Sequence, residues 1–228
     1  MKVLALDTST PRGSVALLEG RELVAELRLL SLETHSSRLL GSVEYLLHIS
    51  GWQLADLRLV AAGIGPGSFT GIRIGVATAI GLAQMMSLPF AGISCLDAVA
   101  HQITGVDGRI GVVLDAQRSQ VYFAEYLREQ GRIRRLAKPA LRNPADLGIQ
   151  LRSARLYLAG DGAVRYAGQI KPHKLFWPKV IVTELFLAAA LGKLALDRKR
   201  TWRSGEFLQA EPLYIRPPDA LRPKVNIR

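Results

Sequence analysis

Only one cysteine, Cys95, occurs in the 228 residues of the chain. No intramolecular disulfide can form, which fits a reducing compartment. Histidine is almost as scarce: His35, His48, His101 and His173 are scattered, and no His-x-x-x-His spacing occurs. Metal centres ordinarily need three or four ligands, so the sequence offers no metal site. Acidic residues are in deficit, 19 against 30 Lys and Arg. The resulting charge of +11 favours polyanionic partners but specifies no fold. Long unbroken apolar runs are missing as well. The run 59–86 is interrupted by Pro66 and Arg73, and the run 180–197 carries Glu184 and Lys193. Neither reaches the roughly 20 apolar residues of a membrane span. The opening "MKVLALDTST" has too short an apolar run for a signal peptide and lacks a small-residue cleavage pattern. A soluble, cytoplasmic protein is expected, with no membrane partner.

What is present is core. Hydrophobic residues make up 49% of the chain, enough for one domain or two small lobes. "KVLALDT", "GSVALLEG" and "ELVAELRLL" read as three strands of an antiparallel meander. A helix follows from Thr34 or Ser36, with Leu39, Leu40, Val43, Leu46 and Leu47 at helical spacing and Gly51 as its stop. "LRLVAAGIG" is a buried strand, a glycine loop leads into a second helix, and "FAGIS" is a strand before a short helix from Cys95. Near Arg109 the pattern restarts: "VVLDAQRSQVYFAEY" repeats the strand–aspartate–turn–strand order of "LALDTSTPRGSVAL". "RIRRLAK" continues it as a strand, "NPADLGIQL" reads as a helix capped by Asn143, and "RLYLAGDGA" as strand then turn. "TELFLAAALGKLALDRK" reads as a last helix capped by Thr183. Two related α/β lobes are predicted, 1–104 and 105–228, the second carrying that helix and a basic tail.

The loop "GIGPGSFTGIRIG" excludes several chemistries. Gly71 is followed by Ile72 and Arg73 rather than by Lys and Ser or Thr, so it is no ordinary P-loop. The strand after it lacks the acidic residue of a dinucleotide site. Ser68 stands in no Gly-x-Ser-x-Gly elbow, because Pro66 occupies the first glycine position. Gly71, Gly75, Ala79 and Ala83 recur every four residues and make a helix stripe almost without side chain. Glycine within a helix costs about 1 kcal/mol relative to alanine, so the stripe calls for a close contact. Two partners for it stay open: the chain's own sheet, or a helix of another chain.

Several motifs together resemble the TsaB (YeaZ) family. They are "LALDTST", "THSSRLL", "GIGPGSFTGIRIGVATAIGLA", "GISCLDAVA", "DAQRSQVY", "LAGDGA" and "EPLYIRPPDA", in that order along most of the chain. The resemblance implies an α/β, two-lobed ASKHA (actin/Hsp70-like ATPase) fold with mixed sheets flanked by helices. It implies a non-catalytic relative of TsaD, the transferase that forms the threonylcarbamoyl group on N6 of adenosine 37 of tRNAs reading ANN codons. TsaD holds its metal through two histidines four apart on a helix. Here His35 stands alone, and position 39 is Leu39. Family members often carry "DARRGEVY", where this chain has Gln117 and Gln120.

The site expectations follow from that resemblance. A partner interface comprises His35, Leu39, Leu40, Val43, Leu46, Leu47, Gly71, Gly75, Ala79 and Ala83. A vestigial nucleotide site comprises Asp7, Thr8, Ser9, Thr10 and Asp115, with tight structural turns as the other reading. A tRNA contact comprises Arg198, Lys199, Arg200 and Arg203, with solvated basic faces as its alternative; the tail from Arg222 adds further charge. The implied partners are TsaD as a heterodimer, TsaE in a larger complex, tRNA through that complex, and a second copy through the same helices. No cofactor is assigned to this chain alone, and ATP or ADP would enter with the complex. The competing classes are a glycoprotease-like hydrolase or an ATPase of the same fold, and a stand-alone RNA-binding protein.

Overall fold

The computed structural model describes residues 1–30, 36–150, 156–170, 179–198, 201–208 and 210–216. The predicted meander is present: β1 (Lys2–Asp7), β2 (Arg12–Glu19) and β3 (Glu22–Leu30) pair antiparallel. Beyond β1 lie β4 (Leu59–Gly63) and β5 (Phe90–Ile93), both parallel to it in sense. The chain reaches them through α1 (Ser36–Ile49) and α2 (Phe69–Met85), and α3 (Cys95–Gln102) leaves the sheet.

The second series repeats this plan. β6 (Gly108–Asp115), β7 (Val121–Glu129) and β8 (Arg132–Arg135) form the meander, and the short β9 (Ala140–Arg142) pairs with β7. After α4 (Pro144–Gln150), β10 (Leu156–Ala159) lies parallel to β6; α5 (Asp161–Arg165) precedes β11 (Lys179–Ile181), parallel to β10. Then α6 (Ala188–Arg198) and the two-residue β12 (Phe207–Leu208) return to the first sheet, where β12 pairs with β5.

Strand patterning explains the layers. In β1, Leu4 and Leu6 point to one face and Val3 and Ala5 to the other, and all four are buried. Leu4, Leu6, Val15 and Leu17 pack beneath α1 and α2. Val3, Ala5, Ala16 and Leu18 pack against α6, which with α3 fills the space between the two sheets. Small residues set that approach: a Cβ at Gly192 of α6 would lie 2.4 Å from Leu18 Cδ1. On the outer face of the second sheet, Val113, Phe123 and Leu158 pack with Leu147 of α4 and Ala163 of α5. The order is helices, sheet, helices, sheet, helices.

Three short strands, β9, β11 and β12, lack a sequence signature, and the turn expected after β10 is the five-residue helix α5. The last helix starts at Ala188 rather than after Thr183. Leu185 and Leu187 are instead buried, outside any helix or strand, in the core between the sheets. The buried helix-end donor at Ala188 N is taken by Ser14 Oγ of β2 at 3.0 Å, while Thr183 Oγ1 has no partner.

Candidate functional site beneath the glycine loop

Asp7 ends β1, and the chain turns through Thr8, Ser9 and Thr10 into β2. All four residues are buried. The glycine loop and the start of α2 lie directly on this turn. Ser68 N–H donates to Ser9 O at 2.7 Å, and Thr8 Oγ1 donates to Gly71 O at 2.7 Å. A Cβ at Gly67 would stand 2.3 Å from Ser9 O, one at Gly71 2.0 Å from Thr8 O, and one at Gly75 2.4 Å from Thr8 Oγ1. Three glycines are therefore required by one turn of the chain itself. The peptide between Gly65 and Pro66 is cis.

The donors a phosphate would need are already engaged. Ser9 N–H donates to Asp7 Oδ1 at 3.1 Å, Gly71 N–H to the capping Ser68 Oγ at 3.2 Å, and Ile72 N–H to Ser68 O at 2.8 Å. Cys95, at the start of α3, donates its N–H to Gly65 O and its thiol to Ser9 Oγ at 3.2 Å. Asp7 Oδ2 is left without a partner. Burial raises the Asp7 carboxyl from 3.8 to about 6, against hydrogen bonds from Ser9, Thr8 and Cys95 that favour the anion. The Cys95 thiol is pushed far above its ordinary range, first by burial and then by the charge of Asp7.

The equivalent position of the second sheet is Asp115, and both oxygens of its carboxylate are engaged. Oδ1 accepts from Gln117 N–H at 2.8 Å and Tyr166 OH at 3.0 Å, and Oδ2 from Arg165 Nη1 at 2.6 Å. Asp161 Oδ1 in turn accepts from the N–H groups of Asp115 and Gly162. Both carboxylate oxygens of Asp115 are thus engaged by the chain, whereas at the first turn Asp7 Oδ2 stays without a partner. Among the described residues, no three of His, Cys, Asp and Glu are grouped to hold a metal ion.

Residues 30–195 match the family model described as "TsaD: tRNA N6-adenosine threonylcarbamoyltransferase". Over 226 residues the chain is 31% identical to the tRNA threonylcarbamoyladenosine biosynthesis protein TsaB of Haemophilus influenzae, covering 95% of this chain and 94% of that one. The chain belongs to the TsaB family. It is also 41% identical over 135 residues to TsaB of Escherichia coli, a match that spans 58% of either chain. Among solved structures, YeaZ from Pseudomonas aeruginosa is similar, with 30% identity and a TM-score of 0.79 over 93% of this chain and 99% of that one. Component A of the Acidaminococcus fermentans (R)-2-hydroxyglutaryl-CoA dehydratase has 12% identity and a TM-score of 0.51 over 87% and 98%, a likeness of fold alone. The two lobes have the ASKHA fold, as the motifs imply.

In this TsaB-family chain the predicted interface residues divide sharply. Leu39, Val43, Leu46 and Leu47 of α1 point into the core beneath the first sheet, with Leu39 only 1% exposed. Gly71, Gly75, Ala79 and Ala83 of α2 are buried too. The α2 stripe thus packs on its own turn and sheet, while Val43 and Leu47, though largely buried, reach the floor of a surface groove. Leu40 faces outward, 56% exposed, and Tyr45, Ile49 and Met85 are exposed with it. That groove, about 750 Å³, runs beside α1 and is lined by Leu40, Val43, Tyr45, Leu47, Trp52 and Leu82 among others.

His35, Lys199, Arg200 and the basic tail from Arg222 lie outside the described residues. Arg198 is half-buried and bonds Gly92 O at 3.4 Å and Asp97 Oδ2 at 3.5 Å, so it ties α6 to β5 and α3. Arg203 is exposed. Sequence reasoning missed Asp97 as a hub. It accepts from Tyr126 OH at 2.7 Å and Arg135 Nη2 at 2.9 Å, joining α3 to the second sheet. An aspartate in the first turn of a helix reads locally as a dipole partner, which hides that role. Among the described residues no helix is long and apolar enough to cross a membrane.

Proposed function

We propose that this chain is a non-catalytic scaffold of the cytoplasm. It binds TsaD as a heterodimer and supports formation of the threonylcarbamoyl group on N6 of adenosine 37 of tRNAs reading ANN codons. The observation that carries the reading is the filled turn. Glycines 67, 71 and 75 pack so closely on Thr8 and Ser9 that not even a Cβ would fit between the glycine loop and that turn. The outward face of α1 supports the partner half of the reading, through exposed Leu40 and Tyr45 beside the groove. This surface replaces the buried stripe as the proposed contact. TsaE and tRNA would join through the complex; of the two described residues of the predicted tRNA contact, Arg198 is held by Gly92 and Asp97 and Arg203 is exposed.

A hydrolase is the second reading, since a P. aeruginosa neighbour with 29% identity is described by its similarity to a peptidase. The local chemistry opposes it. Ser68 Oγ caps α2 and has no base beside it, and Ser9, whose hydroxyl is bonded to the Asp7 carboxylate, is only 1% exposed, so neither hydroxyl is presented to a substrate as a nucleophile.

The test is co-purification with TsaD of the wild type and of Leu40→Asp/Tyr45→Asp. Truncating or charging a central aromatic anchor typically costs about 2 kcal/mol or more of binding. The double variant should therefore bind at least about 30-fold more weakly while keeping the wild-type melting curve. Wild-type binding by a folded double variant would overturn the interface. Failure of the wild type to bind TsaD would overturn the scaffold reading.

A further inference from the structure

Residues 210–216 cross from one lobe to the other. On the first lobe, Leu213 N–H donates to Ile64 O at 2.7 Å, and Leu213 O lies 3.2 Å from the place of a Cβ at Gly65. The Tyr214 ring stands 5.0 Å from that of Phe69, and its hydroxyl accepts from Arg73 Nε at 3.1 Å. Two residues later Arg216 reaches the second lobe. Its Nη1 donates to Ala116 O at 2.7 Å and its Nη2 to Gln120 Oε1.

Those acceptors bracket the turn that follows β6, and that turn is strained. Gln117, Arg118 and Ser119 have φ of 57°, 53° and 54°. L-residues enter this left-handed region singly, because Cβ then crowds the following carbonyl. Three in succession, none of them glycine or asparagine, need outside support. The turn's own bonds include Gln117 N–H to Asp115 Oδ1 at 2.8 Å, Ala116 N–H to Gln120 O at 2.9 Å and Gln120 N–H to Gln117 O at 3.0 Å. A strained backbone persists only where its surroundings over-determine it. Arg216 supplies that constraint, since a guanidinium is a rigid fork whose charged donors reach two acceptors at a fixed spacing.

We propose that residues 210–216 are a latch. Leu213 and Tyr214 anchor it on the glycine loop, and Arg216 holds the left-handed turn of the second lobe. The equivalent turns of the two lobes are thereby fixed to each other by protein alone. Release of the segment relaxes the left-handed turn and uncouples the two turns from each other, while α3 and α6 keep the sheets packed.

Amide exchange on the full chain tests this. Arg216→Ala should speed exchange at the Ala116, Gln120 and Leu213 amides at least about tenfold, with Val76 in α2 and Val112 in β6 unchanged. Arg216→Lys should behave like Arg216→Ala, because an ammonium cannot bracket both acceptors. Adding Ser119→Gly to Arg216→Ala should restore protection at Gln120, since glycine holds the left-handed region without a Cβ. A purely structural loss of contact would not be rescued that way. Wild-type exchange at Gln120 in Arg216→Ala, or no recovery with Ser119→Gly, overturns the latch. If Arg216→Ala does not fold, Gln120→Ala removes one acceptor and should still accelerate the Ala116 amide several-fold; unchanged exchange there also overturns it.

Discussion

Two glycines of the same helix should respond in opposite directions to one added methyl group. Gly81 of α2 has nothing within 4 Å of its would-be Cβ, so Gly81→Ala only improves the helix. The gain is about 1 kcal/mol, from the glycine entropy no longer lost on folding. Gly71 is three residues past the Ser68 cap, and its Cβ would lie 2.0 Å from Thr8 O and 3.1 Å from Thr8 C. That neighbour is main chain, fixed by β1 and by the Thr8 hydroxyl bonded back to Gly71 O, so no side chain can swing aside. Overpacking of this kind costs about 1–3 kcal/mol, and a main-chain clash belongs at the upper end. With a smaller propensity gain in the first turn, the net loss is about 2 kcal/mol. For a chain of this size each kcal/mol moves Tm by about 2–4 °C. Gly81→Ala should melt about 2–4 °C above wild type and Gly71→Ala about 4–8 °C below it. Calorimetry and urea midpoints on the three proteins read both shifts. A Gly71→Ala protein as stable as wild type would mean that the turn does not need the stripe, and the argument for a filled site would fall.

Two titrating groups give further tests. Asp7 has its pKa raised to about 6 from 3.8, so the folded state binds its proton more tightly. Its contribution is present below about pH 4 and is lost as pH rises through about 6, a span of up to about 3 kcal/mol. Asp7→Asn should therefore be more stable than wild type at about pH 8 by up to that amount, with the difference closing near pH 4; a pH-independent difference in urea midpoint would refute the assignment. Cys95, buried with its thiol held protonated, should resist thiol-labelling reagents in the native protein and react only as fast as the chain opens. Rapid native labelling would show that the Asp7 turn is accessible after all.

Much of the fold was legible because strand, aspartate and turn recur in the same order. "LALDTST" and "VVLDAQRS" became β1 and β6 with their turns, and both aspartates end their strands as read. The direction of the helix stripes was not legible. Leu39, Val43, Leu46 and Leu47 have the same 3.6-residue period whether they face their own sheet or a partner, and the fold turns them inward. The cap at Thr183 failed for a related reason. Its local signal is real, but Ser14, 174 residues earlier in sequence, supplies the helix-end acceptor instead. Arg216 and Tyr214 carry no periodicity at all. Their partners lie 96 to 141 residues away, and only a folded chain brings them together.

The two equivalent turns have been put to different uses, and the difference is chemical. A phosphate-binding turn needs N–H groups and carboxylate oxygens left open toward the ligand. At Asp115 every oxygen is taken by Gln117, Tyr166 or Arg165, and the strain of the following turn is held by Arg216. At Asp7 the N–H groups are taken, yet Oδ2 has no partner and burial opposes its charge. A hairpin needing only a tight turn would be served better by asparagine, which keeps the acceptor for Ser9 without a charge to bury. The first turn therefore carries an electrostatic cost that its packing does not require, and the second does not. If Asp7→Asn stabilises the isolated chain but weakens its complex with TsaD, that carboxylate acts in the assembly; if binding is unchanged, the turn is packing and nothing more.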